Sequence, residues 1–264
     1  MRRGDRNGPI RGENVEERER YLEAYRARVA EDAARRVEWI RELVDKSGAR
    51  GVVLGLSGGL DSAVVAALVR QAVGKERLAC LVLPIESPPE SLAHARLVAE
   101  ALDLNVREVD LGPAFAAFRS ACEPVLTWDE RSAGNLKARL RMAALYAYAN
   151  AHGCLVAGTS NRSELYVGYS TKGGDAVADF FPIASLTKSE VRVLAEHLGI
   201  PPDILQKPPS ADLWPGQTDE GELGLTYAEL DRYLLTGEAP PGVRERIEAL
   251  HRASEHKREL PPSL

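Results

Sequence analysis

The stretch GVVLGLSGGLDSAVVAALV, residues 51–69, decides the fold of this chain. A short apolar run leads into a small polar turn, SGGLDS, which is followed by a second apolar segment. Five residues of that second segment share one helical face: Leu60, Ala63, Val64, Ala67 and Leu68. The stretch therefore predicts a buried strand, a tight turn and an amphipathic helix.

The same alternation continues along the chain. Short apolar runs recur at residues 77–85, 105–111 and 154–159, with helical patterns between them. Apolar runs that alternate with helices are typical of parallel strands covered on both faces. We therefore predict an α/β fold, a doubly wound, mostly parallel sheet with helices on both faces. Residues 15–46 predict one helix before the first strand, and its apolar face contacts either the core or a second subunit.

Length and composition restrict the class of protein. The 264 residues are 44% hydrophobic and 28% charged, which suits a globular chain with a full core. We expect residues 1–14 to be mobile and residues 15–264 to form a single domain. No apolar run approaches the roughly 20 residues of a membrane helix. A net charge of −5 without a basic tract argues against a nucleic-acid surface.

The number and spacing of the cysteines indicate the redox state of the compartment. Cys80, Cys122 and Cys154 are odd in number and far apart, so they predict neither a disulfide framework nor a metal-binding pair. We interpret them as buried thiols in a reducing compartment. The protein is accordingly expected to be cytoplasmic.

Two polar turns are expected at the same edge of the sheet, at residues 57–62 and 159–164. Ligands of such sheets bind beyond the carboxyl ends of the strands. The first turn is not a P-loop, because Leu60 and Asp61 stand where the second glycine and the lysine belong. Its glycines nevertheless allow a tight turn with exposed N–H groups at a helix N-terminus, which favours an anion.

Asp61 is the unexpected residue of this turn. Its carboxylate would repel a bound polyphosphate unless a cation lay between them. Mg²⁺ suits that position because it takes carboxylate and phosphate oxygens together. The alternative is that Asp61 is a helix-start carboxylate facing the helix dipole.

SGGLDS resembles the pyrophosphate loop of the N-type ATP pyrophosphatases, which have an adenine nucleotide alpha hydrolase-like fold and cleave ATP between the α- and β-phosphates. From about residue 30 onward, nearly the whole chain is similar to the NAD synthetase family. The matching segments are GNLKARLRM (134–142), GTSNRSEL (158–165), GYSTKGGDAVAD (168–179), LTKSEV (186–191), KPPSADLWPGQTDEGELGLTY (207–227) and EHKR (255–258).

The resemblance implies roles around ATP. Asp61 and Glu164 would hold Mg²⁺, although Glu164 alone reads equally as an ordinary exposed helix residue. Without the resemblance, Arg139 reads equally as part of a solvated basic face. A lysine such as Lys188 at a helix start is unfavourable, because the helix dipole is positive there. A bound anion next to Lys188 would remove this cost. The implied contacts of ATP and pyrophosphate are Ser57, Gly58, Gly59, Asp61, Ser62, Arg139, Thr159, Lys188 and Ser210.

The resemblance also implies a site for deamido-NAD. Its residues would be Asn135, Tyr169, Lys172, Asp175, Asp179, His256 and Lys257. Asp175 and Asp179 match acidic positions near the nicotinate ring and the ammonia entry point, where a carboxylate can accept a proton from ammonium. Ser170 and Gly173 replace aromatic residues of many family members, so stacking on the pyridine ring must come from Tyr169 or elsewhere.

The implied activity is that of a ligase that forms a C–N bond. Deamido-NAD would attack Mg-ATP to give an acyl-adenylate and pyrophosphate, and ammonia would convert the adenylate to NAD and AMP. Asp61, Glu164, Asp175 and Lys188 would be the catalytic residues. We expect the 207–222 loop to close over the adenylate, although a rigid turn fits its composition too.

Ammonia is expected as the nitrogen donor, because a glutaminase would need further residues and a nucleophilic cysteine. The resemblance implies a homodimer. The alternatives are another N-type ATP pyrophosphatase, such as a GMP synthetase-like core or a tRNA-modifying adenylase, and a non-catalytic adenine-nucleotide sensor. Retention of both Asp61 and Glu164 argues against the sensor.

Overall fold

The four predicted strands are present and form one parallel sheet. The computed structural model describes residues 10–260 and Ser263. The strands are β1 (Gly51–Gly55), β2 (Leu78–Val82), β3 (Val106–Glu108) and β4 (Cys154–Val156). Their order in the sheet is β3-β2-β1-β4, and every neighbouring pair is parallel. The chain therefore winds outward from β1 in both directions, as the predicted doubly wound fold requires.

Helices cover both faces of the sheet. The helices are α1 (Ile10–Arg26), α2 (Val29–Ser47), α3 (Leu60–Val73), α4 (Pro89–Ala101), α5 (Gly112–Cys122), α6 (Glu130–His152), α7 (Arg162–Val167), α8 (Lys188–His197), α9 (Pro202–Gln206), α10 (Asp219–Leu223), α11 (Tyr227–Thr236) and α12 (Pro241–Ala253), followed by a 3₁₀ turn (Glu255–Lys257).

The strand residues alternate between two hydrophobic clusters. Val52 and Leu54 of β1 belong to a large cluster with α2, α3 and α8, whereas Val53 belongs to a cluster with α6. Side chains of a strand alternate between its faces, so both clusters follow from the apolar run at residues 51–56. The prediction of helices on both faces is confirmed.

Helix α3 is more deeply buried than its sequence pattern predicts. Ten of its 14 residues are buried, including Val65, Ala66 and Val69 outside the predicted apolar face. The helix contacts β1, α2 and α8. A helix that is apolar on all sides is a core helix, and this one begins at the SGGLDS turn.

The N-terminal helix prediction needs a correction. Instead of one helix over residues 15–46, the structure has α1 and α2 with a break at residues 27–28. Neither glycine nor proline marks the break. Across it, the Tyr25 hydroxyl donates to the Asp32 carboxylate at 2.8 Å. Helix α1 begins inside the segment expected to be mobile, and residues 1–9 lie outside the described residues, so that expectation stays a prediction.

The cysteines differ from the expectation in part. All three are free thiols, but only Cys80 is buried, and Cys122 and Cys154 are partly exposed. Burial raises the pKa of the Cys80 thiol to about 12. Over the part of the chain that the structure describes, no helix is both long and apolar enough to cross a membrane.

The C-terminal part adds a third hydrophobic cluster beside the sheet. It is formed mainly by α10, α11 and α12 together with Val167 of α7. Its members alternate with polar residues at helical spacing, as in α11, where Tyr227, Leu230, Asp231 and Leu234 are buried. These helices form a wall next to the carboxyl ends of β1 and β4.

Candidate active site

A cleft of about 840 Å³ lies at the carboxyl ends of the central strands. Strands β1 and β4 are neighbours, so the loops that follow them meet at its floor. The predicted site residues on its walls are Ser57, Gly59, Asp61, Ser62, Asn135, Arg139, Thr159, Glu164, Tyr169, Lys172, Asp175, Lys188, Ser210, His256 and Lys257. Fold topology thus gathers residues that are far apart in the sequence.

The turn after β1 is pre-shaped by glycine and serine. Gly58 has φ +76°, and a Cβ there would lie 2.5 Å from the Ser91 carbonyl oxygen. Gly58 thus lies behind the turn, against α4, and supports it. The Gly59 N–H donates to Ser57 Oγ at 3.2 Å, and the Ser57 N–H donates to Ser62 Oγ at 3.3 Å. The N-terminus of α3 is held at the cleft, where its unpaired N–H groups favour an anion.

Lys188 joins the two carboxylates that the sequence analysis assigned to Mg²⁺. Its Nζ donates to Asp61 Oδ2 at 2.5 Å and to Glu164 Oε1 at 3.1 Å. The ammonium group also lies 5.1 Å from the centre of the Tyr227 ring. Asp61 follows β1, Glu164 lies on α7 beyond β4, and Lys188 begins α8. Three elements therefore converge on one charge cluster.

The cluster contains more acidic than basic groups. Burial alone lowers the pKa of Lys188, but Asp61 and Glu164 outweigh it and raise the pKa well above the usual value, so the lysine stays protonated. Burial raises the pKa of Glu164 to about 8, with Asp61 and Asp219 adding to it and Lys188 opposing it. With three carboxyl groups close to one ammonium group, the cluster favours a further positive charge, which is either a proton on Glu164 or a bound cation.

Asn161 orients both acidic side chains and was missed by the sequence analysis. Its Nδ2 donates to Asp61 Oδ1 at 3.0 Å, and its Oδ1 accepts from the Glu164 N–H at 3.0 Å. The Asn161 N–H in turn donates to Glu164 Oε2 at 3.2 Å. This is a capping box at the start of α7. The signal that could have found it is the spacing of N and E in NRSE, residues 161–164.

Asp61 and Glu164 have the chemistry that a magnesium ion needs. Within the described residues, no group of three or more His, Cys, Asp and Glu side chains gathers in a metal-binding arrangement. Mg²⁺ usually requires only one or two carboxylates, with phosphate oxygens and water completing its shell. The oxygen-only donor pair fits such an ion.

The segment at residues 168–175 forms a second wall of the cleft. The Thr171 hydroxyl donates to Asn135 Oδ1 at 2.8 Å, and the Thr171 N–H donates to Asp175 Oδ1 at 2.8 Å. The cleft walls reduce the solvation of Asp175 and raise its pKa, while the Thr171 N–H opposes this rise. A carboxylate with a raised pKa is a better proton acceptor.

The C-terminal tail docks on the same wall. Lys257 Nζ donates to the carbonyl oxygens of Gly168 and Ser170 at 2.7 and 2.6 Å. Lys172 Nζ donates to the His256 carbonyl oxygen at 2.9 Å. The charged tail therefore returns to the cleft, as the resemblance implied.

Tyr169 and Asp179, two residues of the predicted dinucleotide site, have different surroundings. Tyr169 lines the cleft, and its hydroxyl donates to Glu222 Oε2 at 2.5 Å. Asp179 does not line the cleft, because its carboxylate accepts from the Val156 N–H at 2.7 Å and from the Tyr146 hydroxyl at 3.3 Å. Within this chain, Asp179 therefore secures the end of β4, and the structure does not bring it to the other predicted residues.

The loop at residues 207–218 covers one side of the cleft. Ser210 Oγ donates to the Gln217 carbonyl oxygen at 2.8 Å and accepts from the Asp212 N–H at 3.0 Å, which folds the loop on itself. Asp212 also accepts from Lys207 Nζ and Ser91 Oγ, both at 2.8 Å. The loop is thereby tied to the first turn of α4.

A buried lysine of α6 provides the second attachment of this loop. Lys137 Nζ donates to the Leu213 carbonyl oxygen at 2.9 Å and pairs with Glu86 Oε2 at 2.8 Å. The sequence analysis assigned no role to Lys137. No local signal distinguishes a lysine that holds a loop from a solvated one, because the partner atoms are 76 residues away.

The fold and the cleft define a nucleotide-binding α/β protein of the adenine nucleotide alpha hydrolase-like class. The family model described as NAD synthase matches residues 33–261. The chain belongs to the NAD synthase family, and the resemblance stated from its motifs is confirmed.

Relatives and solved structures agree with this assignment. An NH(3)-dependent NAD(+) synthetase of Syntrophomonas wolfei is 46% identical over 230 residues, which cover 86% of this chain and 92% of the relative. The structure of an NMN synthetase from Francisella tularensis has a TM-score of 0.85 at 38% identity, covering 89% of this chain and 98% of that one. An NH3-dependent NAD synthetase from Campylobacter jejuni has a TM-score of 0.74 at 32% identity, with the same coverages.

Proposed function

We propose that this protein amidates deamido-NAD to NAD with ATP and ammonia, releasing AMP and pyrophosphate. The observation that carries the proposal is the contact of Lys188 with Asp61 and Glu164 beside the N-terminus of α3. This arrangement supplies donors for a leaving pyrophosphate and acidic ligands for its counter-ion. The curated relatives lend no support to another N-type ATP pyrophosphatase or to a nucleotide sensor.

The first step forms the acyl-adenylate. An oxygen of the nicotinate carboxylate attacks the α-phosphorus of ATP, and the bond from this phosphorus to the β-phosphate bridging oxygen breaks. Ser57 and Ser62 line the cleft at the start of α3, and their hydroxyls together with the first N–H groups of this helix would hold the departing pyrophosphate. A magnesium ion held by Asp61 and Glu164 would neutralise phosphate charge. Most of the rate enhancement then comes from positioning and charge stabilisation.

The second step transfers nitrogen. Ammonia attacks the activated carbonyl carbon, the carbon–oxygen bond to AMP breaks, and the nitrogen loses a proton. Asp175 faces the cleft with a raised pKa, so its carboxylate is suited to take a proton from ammonium before the attack. The covering loop at residues 207–218 limits access of water to the adenylate.

Mg²⁺, the homodimer and the cytoplasmic location belong to the same proposal. The approach of two carboxyl groups, those of Asp61 and Glu164, to one point beside the N-terminus of α3 supports the metal. Exposed apolar side chains on and after α5, Phe118, Val125 and Leu126, support a subunit contact. Light scattering of a V125E variant tests the dimer, which we expect to weaken.

A second candidate substrate is nicotinate mononucleotide, which would give NMN by the same chemistry. The TM-score of 0.85 to the Francisella tularensis NMN synthetase favours it, compared with 0.74 for the Campylobacter jejuni NAD synthetase. The curated relatives, all described as NAD(+) synthetases, favour the dinucleotide. The ratio of kcat/KM for the two substrates decides between them.

The deciding experiment measures amide product by liquid chromatography with ammonium or glutamine as donor. We expect NAD, AMP and pyrophosphate in equal amounts with ammonium, and product formation that depends on deamido-NAD. Pyrophosphate release without a nicotinate substrate, or no amide from either nucleotide, contradicts the proposed function. An E164Q variant is expected to lose activity in the same assay, whereas an exposed acid far from the cleft, changed in E38Q, leaves it intact.

A further inference from the structure

Asp231 is a fully buried carboxylate to which the proposed chemistry gives no role. It lies on α11, between Leu230 and Leu234 on the face that packs toward α7 and α8. A buried ionised carboxylate is costly unless hydrogen bonds satisfy it. The hydrogen-bond partners of Asp231 therefore indicate its structural role.

The partners of Asp231 all belong to the first turns of α7 and α8. Asp231 Oδ1 accepts from Ser163 Oγ at 2.5 Å, and its Oδ2 accepts from the Ser189 N–H at 2.7 Å and from Ser189 Oγ at 2.6 Å. Ser163 Oγ accepts in turn from the Lys188 N–H at 3.0 Å. One carboxylate thus links the starts of two helices through two serines.

Each of these serines is the chain neighbour of a residue in the charge cluster. Ser163 precedes Glu164 on α7, and Ser189 follows Lys188 on α8. The same helix α11 places the Tyr227 ring beneath the Lys188 ammonium group at 5.1 Å. Helix α11 therefore supports the cluster at two points that are four residues apart, on one helical face.

We propose that Asp231 is a positioning residue, which sets the separation of Glu164 and Lys188 by holding α7 and α8 together. The inference rests on the proposed function, since that function gives the Glu164–Lys188 pair its importance. The carboxylate also lies at the N-terminus of α8, where negative charge is stabilised by the helix dipole. Asn at this position has one acceptor oxygen where the carboxylate has two, so one of the two serines loses its acceptor and the link between α7 and α8 is weakened.

The test compares D231N with a matched control, D32N. Asp32 is also buried and also accepts from a hydroxyl and from a nitrogen, of Tyr25 and Arg36, but its helix α2 carries no residue of the cleft. Both variants are assayed at a temperature at which urea unfolding shows them fully folded. We expect kcat for amide formation to fall about tenfold or more in D231N and less than twofold in D32N, since small misplacements of catalytic groups are costly.

A second variant and a structural measurement distinguish positioning from general stability. S163A removes both the Ser163–Asp231 bond and the bridge to the Lys188 N–H, and the double variant S163A/D231N is expected to be no slower than S163A, because S163A already breaks both connections between α7 and α8. A crystal structure of D231N is expected to show the Glu164 Oε1–Lys188 Nζ distance lengthened from 3.1 Å.

The inference is overturned if D231N keeps the kcat of D32N, or if the distance is unchanged. If the wild-type protein makes no amide product at all, the proposed function fails, and the crystallographic distance alone decides the role of Asp231.

Discussion

Replacing Lys188 by methionine tests the charge cluster through stability alone. Its Nζ is bonded to Asp61 at 2.5 Å and to Glu164 at 3.1 Å, and the three side chains are only 9%, 16% and 14% exposed. Methionine is similar in length, so K188M removes the charge with little change in volume. Asp61 is left without its counter-ion, beside a Glu164 whose pKa of about 8 would rise further without Lys188 and keep it protonated at pH 7.

The magnitude follows from these distances. Because both carboxyl groups bond to one nitrogen, their oxygens lie roughly 5 Å apart, and ionising both without Lys188 would cost about 3 kcal/mol at an effective dielectric constant of about 20, which is why Glu164 stays protonated. Removing one partner of a buried ion pair costs about 3–5 kcal/mol in total. We expect K188M to lose a free energy of unfolding in that range.

Urea unfolding followed by tryptophan fluorescence, in buffer with EDTA, measures the loss. We expect the midpoint to fall while the slope m stays constant, which marks a change in stability alone. Adding D61N to K188M removes the charge that has lost its partner and is expected to restore about half of the loss. A K188M protein within about 1 kcal/mol of wild type, or no recovery in the double variant, refutes the reasoning.

Three further predictions concern other parts of the molecule. In G58A, the new Cβ meets a carbonyl oxygen of α4 at 2.5 Å, so kcat/KM for ATP is expected to fall at least about tenfold. Gly74 has φ +81° with open space around it, so G74A is the control that carries backbone strain alone. K137M removes a charged hydrogen bond to the covering loop worth about 1.5–3 kcal/mol, and the ratio of AMP to amide product is expected to rise above one. Burial raises the pKa of Asp32, but Arg36 outweighs it and holds the pKa below the usual value. The stability advantage of wild type over D32N is therefore present above the unfolded pKa of about 3.9 and is lost as the pH falls through the lower folded value, as acid titration at fixed urea would show.

The sheet was predictable because its signals are local. Each strand is a short apolar run, and the turn at residues 57–62 marks where the first strand stops. The break at residues 27–28 was not predictable, since no glycine or proline marks it and its partners come from tertiary contacts such as Tyr25 with Asp32. The helical pattern continues through the break, and pattern alone cannot show where the chain bends.

The site was predictable where motifs resemble a family, and much less so elsewhere. The resemblance pointed to Asp61, Glu164 and Lys188, which the structure brings into contact. Lys137 and Asp231 are polar residues on amphipathic helices, a pattern that ordinarily indicates solvent exposure, and yet both are buried. Their partners are set by how helices pack, which no single segment encodes.

The two sides of the cleft differ in how firmly they are held, because α3 is buried on all sides and the loop at residues 207–218 is not part of a helix or strand. The turn at residues 57–62 leads directly into α3. Because this helix is buried on all sides, it cannot shift without displacing the residues packed around it. The loop at residues 207–218, on the opposite side of the cleft, is held by a few polar contacts with α4 and α6. If the loop at residues 207–218 opens to admit substrates, the turn at residues 57–62 can keep its shape, because its attachment to α3 does not depend on that loop.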